Sequence, residues 1–142
     1  MIASIALEPF GPELQSLLRE NDLPISDLTG ARVEFYVSRS GSAVLGMVGL
    51  EQCVDATLLR SLAVANSVRG LGIGTALVRH AEAVASSRTF PAIYLLTTTA
   101  EQFFRALGYR VIPRSEVPAS IAATAEFSSL CPASSTLMKK VL

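Results

Sequence analysis

Apolar residues in the first part of the chain follow the pattern of a strand, a helix and three more strands. Residues 4–7 predict a short strand. A helix should begin at Pro12, because leucines then recur at i, i+3 and i+4 (Leu14, Leu17 and Leu18). Three further runs predict antiparallel strands: residues 33–38, 43–52 and 56–65. The third run is almost continuously apolar, so we expect it to be buried on both faces of a sheet.

The second part of the chain switches to helical periodicity. One helical face carries Ile73, Leu77, Ala81 and Val84, and a strand follows at residues 93–97. A strand–helix–strand unit predicts a parallel pair with a right-handed crossover. The remaining predicted elements are a helix at 100–107 ended by Gly108, a strand at 109–112, a small helix at 119–127 within a long connection at 113–132, and a final strand at 135–141.

Together these elements predict a single α+β domain spanning residues 1–142. Its central sheet should have about seven strands, mixed but mostly antiparallel, with flanking helices and one parallel pair. We expect the last strand at an edge of the sheet, where Lys139 and Lys140 are in keeping with exposure. The long connection at 113–132 is typical of a segment that covers a site.

Composition narrows the class of protein. Half of the 142 residues are hydrophobic and the formal net charge is zero, which argues against disorder and against nucleic acid or a membrane as partner. Neither a membrane span nor a secretory signal is evident, so we expect a cytoplasmic protein. Cys53 and Cys131 lack CxxC spacing and His80 is the only histidine, so we expect no disulfide framework and no metal.

Glycines are concentrated between the third antiparallel strand and the first long helix. The run there is Arg69-Gly70-Leu71-Gly72-Ile73-Gly74. Alternate glycines remove side chains from the turn, so that backbone N–H groups can converge on an anion. The following helix adds its first-turn N–H groups and the positive end of its dipole. The pattern predicts a diphosphate site, with a plain tight turn as the alternative.

Three cofactor motifs compete for this site. A dinucleotide fingerprint needs a third glycine where Thr75 stands, and a nucleotide P-loop needs a lysine that is absent here. The run does match R/Q-x-x-G-x-G/A at Arg69, Gly72 and Gly74. That is the coenzyme A pyrophosphate motif of the GNAT (Gcn5-related) acetyltransferases, which this chain resembles.

A second GNAT motif, N-x-x-A-x-x-F-Y-x-x-x-G-F, is partly present. It matches at Ala100, Phe103, Gly108 and Tyr109 and departs at two positions, Thr97 for asparagine and Phe104 for tyrosine. In many relatives that tyrosine protonates the departing CoA thiolate. Tyr94 and Tyr109 are substitutes, although a packing role is expected for both.

The resemblance implies the GNAT fold, acetyl-CoA as cosubstrate and direct acetyl transfer to an amine without an acyl-enzyme. The backbone N–H at Leu62 would stabilise the oxyanion. The cofactor would contact Leu62, Ala63, Val64, Arg69, Gly70, Leu71, Gly72, Ile73, Gly74, Thr75, Phe103, Phe104 and Arg105.

The acceptor site is expected around two charged residues. Glu51 is the candidate base or water-positioning group, and Arg60 could bind a substrate carboxylate. The alternative for Glu51 is a cross-strand ion pair with Arg60 and no chemistry, and the alternative for Arg60 is a snorkelling or structural arginine. Further acceptor contacts are predicted at Ser61, Thr97, Cys131 and Ser134.

Four stretches, residues 49–51, 58–64, 96–104 and 127–134, resemble the small GNAT enzymes of bacterial arsenic-resistance operons. The Cys131-Pro132-Ala133-Ser134 tail is also similar to that of short N-acetylglutamate synthases. Both likenesses imply acetylation of the α-amine of a glutamate-like amino acid, such as arsinothricin or phosphinothricin. The alternatives are a non-catalytic CoA-binding regulatory module and an enzyme that acetylates protein amines. We expect a monomer or homodimer.

Overall fold

The computed structural model describes residues 3–26, 32–130 and 134–142. Its strands are β1 (Ser4–Glu8), β2 (Val33–Ser40), β3 (Ala43–Gln52), β4 (Thr57–Val64), β5 (Ala92–Thr97), β6 (Arg110–Val111) and β7 (Thr136–Val141). Its helices are α1 (Pro12–Glu20), α2 (Ile73–Ser87), α3 (Glu101–Ala106) and the short α4 (Ala119–Ala122), and a π-helical turn follows at Glu126–Leu130. None of the helices in these described ranges is both long and apolar enough to span a membrane.

The seven strands form one sheet in the order β1-β2-β3-β4-β5-β7-β6. Only the β4–β5 pair is parallel. The predicted α+β fold with a mixed, mostly antiparallel sheet is therefore confirmed.

The expected edge position of the last strand is wrong. β7 pairs with β5 along its length, from Ala92 opposite Val141 to Thr97 opposite Thr136, and β6 pairs with its other side. The edge strand is β6, which has only two residues. Hydropathy does not encode strand order, because an inner and an edge strand can carry the same side chains.

The single helix predicted at residues 119–127 is also interrupted. The Thr124 hydroxyl donates to the Ile121 carbonyl at 2.7 Å and accepts from the Phe127 N–H at 3.3 Å. A buried threonine that bonds to its own neighbouring backbone competes with helix continuation. The chain therefore ends α4 and begins a separate turn at Glu126.

The sheet is covered on both faces. Helices α2 and α3 pack on one face, where Leu77, Val78 and Ala81 are fully buried. On the other face α1 covers Phe35, Met47 and Ala63, while the 113–130 segment covers Leu58, Tyr94 and Leu137. Arg60 lies on β4 between Leu58 and Ala63, at the seam between these two apolar clusters. Arg60 is thus a buried polar residue between two apolar clusters.

Candidate active site

Strands β4 and β5 separate part-way along the sheet. Their parallel pairing covers only Thr57–Leu59 against Ile93–Leu95. Just beyond, Ser61 and Leu62 on β4 together face the single residue Val48 on β3, and Ser61 has a positive φ of 58°. Such a β-bulge bends its strand and ends regular pairing. The bulge therefore opens a cleft between β4 and β5.

The cleft has a volume of about 970 Å³. Five parts of the fold line it: the end of α1 and the residues after it (20–26), β4 at the bulge (59–62), Arg69, the end of β5 with its loop (95–100), and Phe104 with Glu126. A cleft of this size can hold a small acceptor beside an extended chain.

The glycine turn directly follows Arg69, which is a residue of the cleft lining. Gly70 and Gly72 have φ values of 81° and 84°, which side chains rarely adopt, and Gly72 is the N-cap of α2. The Ala76 N–H makes the first intrahelical bond, to the Gly72 carbonyl at 3.0 Å. The N–H groups of Ile73, Gly74 and Thr75 thus have no intrahelical acceptor and remain available to an anion.

Arg69 connects this turn to α1 and β4. Its guanidinium donates to Asn21 Oδ1 at 2.6 Å and to the Val64 carbonyl at 3.4 Å. Asn21, which follows α1, therefore takes part in the cleft, although the sequence offered no signal beyond its position at a helix end. Arg69 lines the cleft while holding the turn in place.

The part of the cleft that is lined by Arg60 and Glu126 carries a buried charge cluster. The Arg60 side chain has no exposed surface; its Nη1 donates to Glu51 Oε1 at 2.8 Å, and its Nε lies 3.8 Å from Glu126 Oε1. The cross-strand ion pair with Arg60 that was the alternative for Glu51 is therefore formed. In the described part of the chain Glu51 does not line the cleft, whereas Glu126 does.

Glu126 was missed by sequence reasoning. It lies in the connection expected to cover a site, but Glu116 lies there too, and nothing in the local pattern distinguishes the two. In the structure Glu126 is 4 % exposed and Glu116 is on the surface. Only the path of the segment across the sheet brings Glu126 to Arg60.

The family described as "Acetyltransferase (GNAT) domain" matches residues 31–111, which include the bulge, the glycine turn and the parallel strand pair. The chain belongs to this family. An uncharacterized N-acetyltransferase of Chlorobaculum tepidum is 34% identical over 89 residues, covering 62% of this chain and 57% of that protein.

Solved structures agree in fold. N-acetylglutamate synthase from Neisseria gonorrhoeae, complexed with coenzyme A and N-acetyl-glutamate, matches 100% of this chain and 35% of its own at a TM-score of 0.84 and 18% identity. A GNAT-family acetyltransferase from Elizabethkingia anophelis with acetyl-CoA bound matches 99% and 98% at 0.70 and 16%. The chain thus spans about a third of the synthase and about half of the curated relative. At these identities the structural matches establish the fold alone.

The two departures from the second GNAT motif have structural counterparts. The Thr97 hydroxyl accepts from the Ala100 N–H at 2.9 Å and so fixes the start of α3. Phe104 is 4 % exposed and packs edge-on between Phe103 and Tyr109, while still contributing to the cleft lining. The position that carries tyrosine in many GNAT proteins is therefore apolar here.

Neither substitute tyrosine reaches the cleft. The Tyr109 hydroxyl donates to Glu82 Oε2 at 3.0 Å, and burial, followed by the Glu82 charge, raises the pKa of the Tyr109 phenol. Tyr94 packs on the opposite face of the sheet, with Lys139 Nζ 5.5 Å from its ring centre. Both have the packing roles expected for them.

The other predicted contacts are distributed unevenly. Phe103 packs beside the glycine turn, since a Cβ built on Gly74 would lie 3.5 Å from its Cζ. Arg105 is half-exposed and ion-paired with Glu101 at 2.8 Å. Ser134 is exposed before β7, away from the described cleft lining, and Cys131 lies outside the described residues.

Ser61, for which an acceptor contact is predicted, is a buried polar residue of β4. It lies at the bulge, lines the cleft and is 6 % exposed. Its Oγ has no hydrogen-bond partner among residues 3–26, 32–130 and 134–142. In the same ranges no group of three or more His, Cys, Asp or Glu residues could hold a metal ion.

Proposed function

We propose that this chain, as a single acetyltransferase domain over residues 1–142, transfers the acetyl group of acetyl-CoA to the α-amine of a small amino acid. One observation carries the proposal: Arg69, which leads directly into the glycine turn before α2, lines the cleft made where β4 leaves β5. An extended molecule with a diphosphate at one end and a reactive carbonyl at the other fits that layout.

The turn residues fit the diphosphate of CoA. Gly70 and Gly72 adopt the left-handed conformation, and the α2 N-terminus supplies N–H donors and a positive dipole end. Beyond Leu59 the parallel pairing of β4 with β5 ends, so β4 presents backbone there to the pantetheine arm. The Leu62 N–H is the proposed oxyanion donor. Solved relatives contain CoA or acetyl-CoA, which supports this choice of cosubstrate.

For the acceptor we propose a glutamate-like amino acid. The likeness in fold to a synthase whose structure holds N-acetyl-glutamate supports this class. Arsinothricin and phosphinothricin, as expected from the sequence, are the specific candidates, and N-acetylglutamate synthesis is the alternative. Because Arg60 is buried against Glu51, we expect hydroxyl groups such as those of Ser61 and Thr97 to bind the acid groups first.

A CoA-binding regulatory module is the second candidate, and Phe104 favours it. A thiol ionises with a pKa of about 8.5, so CoA thiolate leaves tolerably well without a dedicated acid. A general acid contributes about 10²–10⁴-fold, and its absence slows a reaction without abolishing it. We therefore favour the enzyme.

Release of CoA from acetyl-CoA should be measured with glutamate, phosphinothricin, arsinothricin and a peptide N-terminus in parallel. We expect release above hydrolysis with at least one free amino acid and none with the peptide. Binding of acetyl-CoA without release for any amine would instead identify a binding module. Faster release with the peptide would reverse the acceptor class.

A further inference from the structure

The Arg69 side chain reaches toward α1 rather than toward the start of α2. Its Nη2 donates to Asn21 Oδ1 at 2.6 Å, at the end of α1, and its Nε donates to the Val64 carbonyl at 3.4 Å. Helices α1 and α2 pack on opposite faces of the sheet. The guanidinium is therefore held toward the α1 side, away from the backbone N–H groups with which α2 begins.

Asn21 orients this guanidinium with a neutral group. Both ends of its amide are used: Nδ2 donates to the Leu17 carbonyl at 2.9 Å, and Oδ1 accepts from Arg69. The bond to Leu17 fixes which end of the amide faces Arg69. A second contact joins the same two segments, since the Asn66 N–H donates to Glu20 Oε2 at 3.2 Å. The end of α1 is thus tied to the chain that leads into the glycine turn.

Arg69 differs from Arg60, the other arginine of the described cleft lining, in the use of its charge. Arg60 is buried and ion-paired with Glu51 at 2.8 Å. Arg69 is exposed at the cleft, and within residues 3–26, 32–130 and 134–142 it makes no ion pair. Its two acceptors are an amide oxygen and a backbone carbonyl, so its positive charge and most of its N–H donors remain available to a ligand.

The spacing along β4 suits an acceptor with two functional ends. Leu62, the proposed oxyanion donor, and Val64, whose carbonyl accepts from Arg69, are two residues apart on the strand, a distance of about 6–7 Å. In an extended glutamate-like molecule the α-amine nitrogen and the carbon of the distal acid are about 5 Å apart. One such molecule can therefore place its amine at the thioester and its distal acid at Arg69.

We propose that Arg69 binds the distal acid group of the acceptor, and that Asn21 is a positioning residue that orients Arg69 without neutralising it. The inference rests on the proposed acetyl transfer and assigns Arg69, one of the predicted cofactor contacts, to the acceptor. A planar guanidinium binds oxyanions through paired N–H donors, so the ligand group is an oxyanion about 5 Å from the amine. Glutamate, phosphinothricin and arsinothricin all carry an acid group at the end distal to the amine.

Two substitutions of Asn21 separate this role from a structural one. Asn21→Ala and Asn21→Asp both lose the Nδ2 donor to Leu17, but only the aspartate keeps an oxygen for Arg69, and it adds a negative charge. We expect Asn21→Asp to raise the acceptor KM by about 10–100-fold, the worth of one hydrogen bond to a charged group, and Asn21→Ala by about threefold at most. A purely structural tether predicts the opposite order, with Asn21→Asp close to wild type, and that order would contradict the proposed role.

Arg69→Gln tests which ligand the guanidinium binds. With glutamate, phosphinothricin and arsinothricin as probes, we expect the acceptor KM at saturating acetyl-CoA to rise by about 10–100-fold. The Kd for acetyl-CoA, from isothermal titration calorimetry, should change by less than about twofold. The matched control is Arg19→Gln, which removes an exposed charge from the same end of α1 outside the described cleft lining and should change neither constant.

A rise of about tenfold or more in the Kd for acetyl-CoA with Arg69→Gln would overturn the inference and place the guanidinium with a phosphate of the cofactor. Arg69→Lys guards against a folding defect in the glutamine variant: it keeps the charge without the planar fork, so its acceptor KM should lie between those of wild type and Arg69→Gln. If wild-type protein acetylates no amine, the proposed function fails and this inference with it. If it acetylates only amines that lack a distal acid, or if Arg69→Gln keeps the wild-type acceptor KM, only this inference fails.

Discussion

Two parts of the candidate site, the glycine turn and the ion cluster around Arg60, are built by different means. At the glycine turn the available donors are backbone N–H groups, presented by Gly70, Gly72 and the start of α2. In the cluster the polar groups are side chains from three separate elements: Arg60 on β4 and Glu126 on the turn after α4 line the cleft, and Glu51 on β3, outside the lining, pairs with Arg60. The glycine turn consists of consecutive residues, whereas the Arg60 cluster forms only after the sheet and its covering segment have packed.

The two features also depend on the fold to different extents. A glycine turn needs only its local backbone conformation, because its donors are part of the main chain. A buried ion cluster needs all of its members together, since removal of one leaves the others desolvated and uncompensated. We therefore expect substitutions in the Arg60 cluster to lower the stability of the fold, and substitutions in the glycine turn to weaken the binding of acetyl-CoA.

Arg60→Met should have the largest effect. It leaves two buried carboxylates without the cation between them, so the free energy of unfolding at pH 7 should fall by about 3–5 kcal/mol. Urea denaturation followed by circular dichroism measures this. The double variant Arg60→Met/Glu51→Gln should recover part of the loss. A loss below about 1 kcal/mol would mean that the cluster behaves like a surface ion pair.

Gly72→Val should act mainly on binding. A β-branched residue at a φ of 84° is strained by about 1–3 kcal/mol, so the turn should relax and the Kd for acetyl-CoA should rise by about 10–100-fold. Isothermal titration calorimetry gives the Kd. Gly41→Val is the matched control: Gly41 has a φ of 60° in the β2–β3 turn, with open space around a built Cβ in the described structure. The control should be destabilised similarly while binding acetyl-CoA normally, and equal losses of affinity would contradict the role of the turn.

Glu34→Gln sets the baseline for an ion pair outside the cleft. Its partner Arg88 lies at the end of α2, and both side chains are about one-third exposed, at 31% and 35%. The hydrogen bond from Arg88 lowers the pKa of the Glu34 carboxyl below its ordinary 4.5. A lowered folded-state pKa means that the stabilisation is present at pH 7 and is lost as pH falls through that folded value.

We expect Glu34→Gln to cost at most about 1 kcal/mol at pH 7, because solvent screens the pair. The difference from wild type should vanish only at pH values below the lowered pKa of the folded-state Glu34 carboxyl, and it should shrink in high salt. Thermal unfolding at several pH values and salt concentrations tests this. A loss as large as that expected for Arg60→Met would remove the distinction between the two pairs.

Most of the fold was predictable from patterning. Period-two and period-3.6 hydrophobicity located β1 to β5 and the helices α1 to α3, and the strand–helix–strand unit predicted the parallel pair at β4 and β5. The inner position of β7 was not predictable, because pairing with β5 depends on contacts distant in sequence. The break after α4 was not predictable either, because it depends on whether the Thr124 hydroxyl bonds to solvent or, as in the structure, to the neighbouring backbone carbonyl of Ile121.

The site divides in the same way. The glycine turn, the start of α2 and the Phe104 substitution could be identified from the sequence because their residues lie at fixed motif spacing. Their contacts to acetyl-CoA stay predictions. From the sequence, Glu51 had two alternative roles, a base or an ion-pair partner of Arg60, and the geometry favours the ion pair. Glu126 could not be predicted from the sequence, because no pattern in the residues around it indicates that it lies beside Arg60 in the fold.

The order of residues alone determined the backbone conformations of this protein: where strands and helices form, and where left-handed turns need glycine. These are short-range properties, set by steric limits on φ and ψ and by the periodicity of side chains along each element. Tertiary structure decided the ion pairing around Arg60, because a β-bulge at Ser61 and a covering segment from far along the chain bring two carboxylates to one arginine. Electrostatic energy depends on distance in space and on burial, and both arise only when the chain has folded.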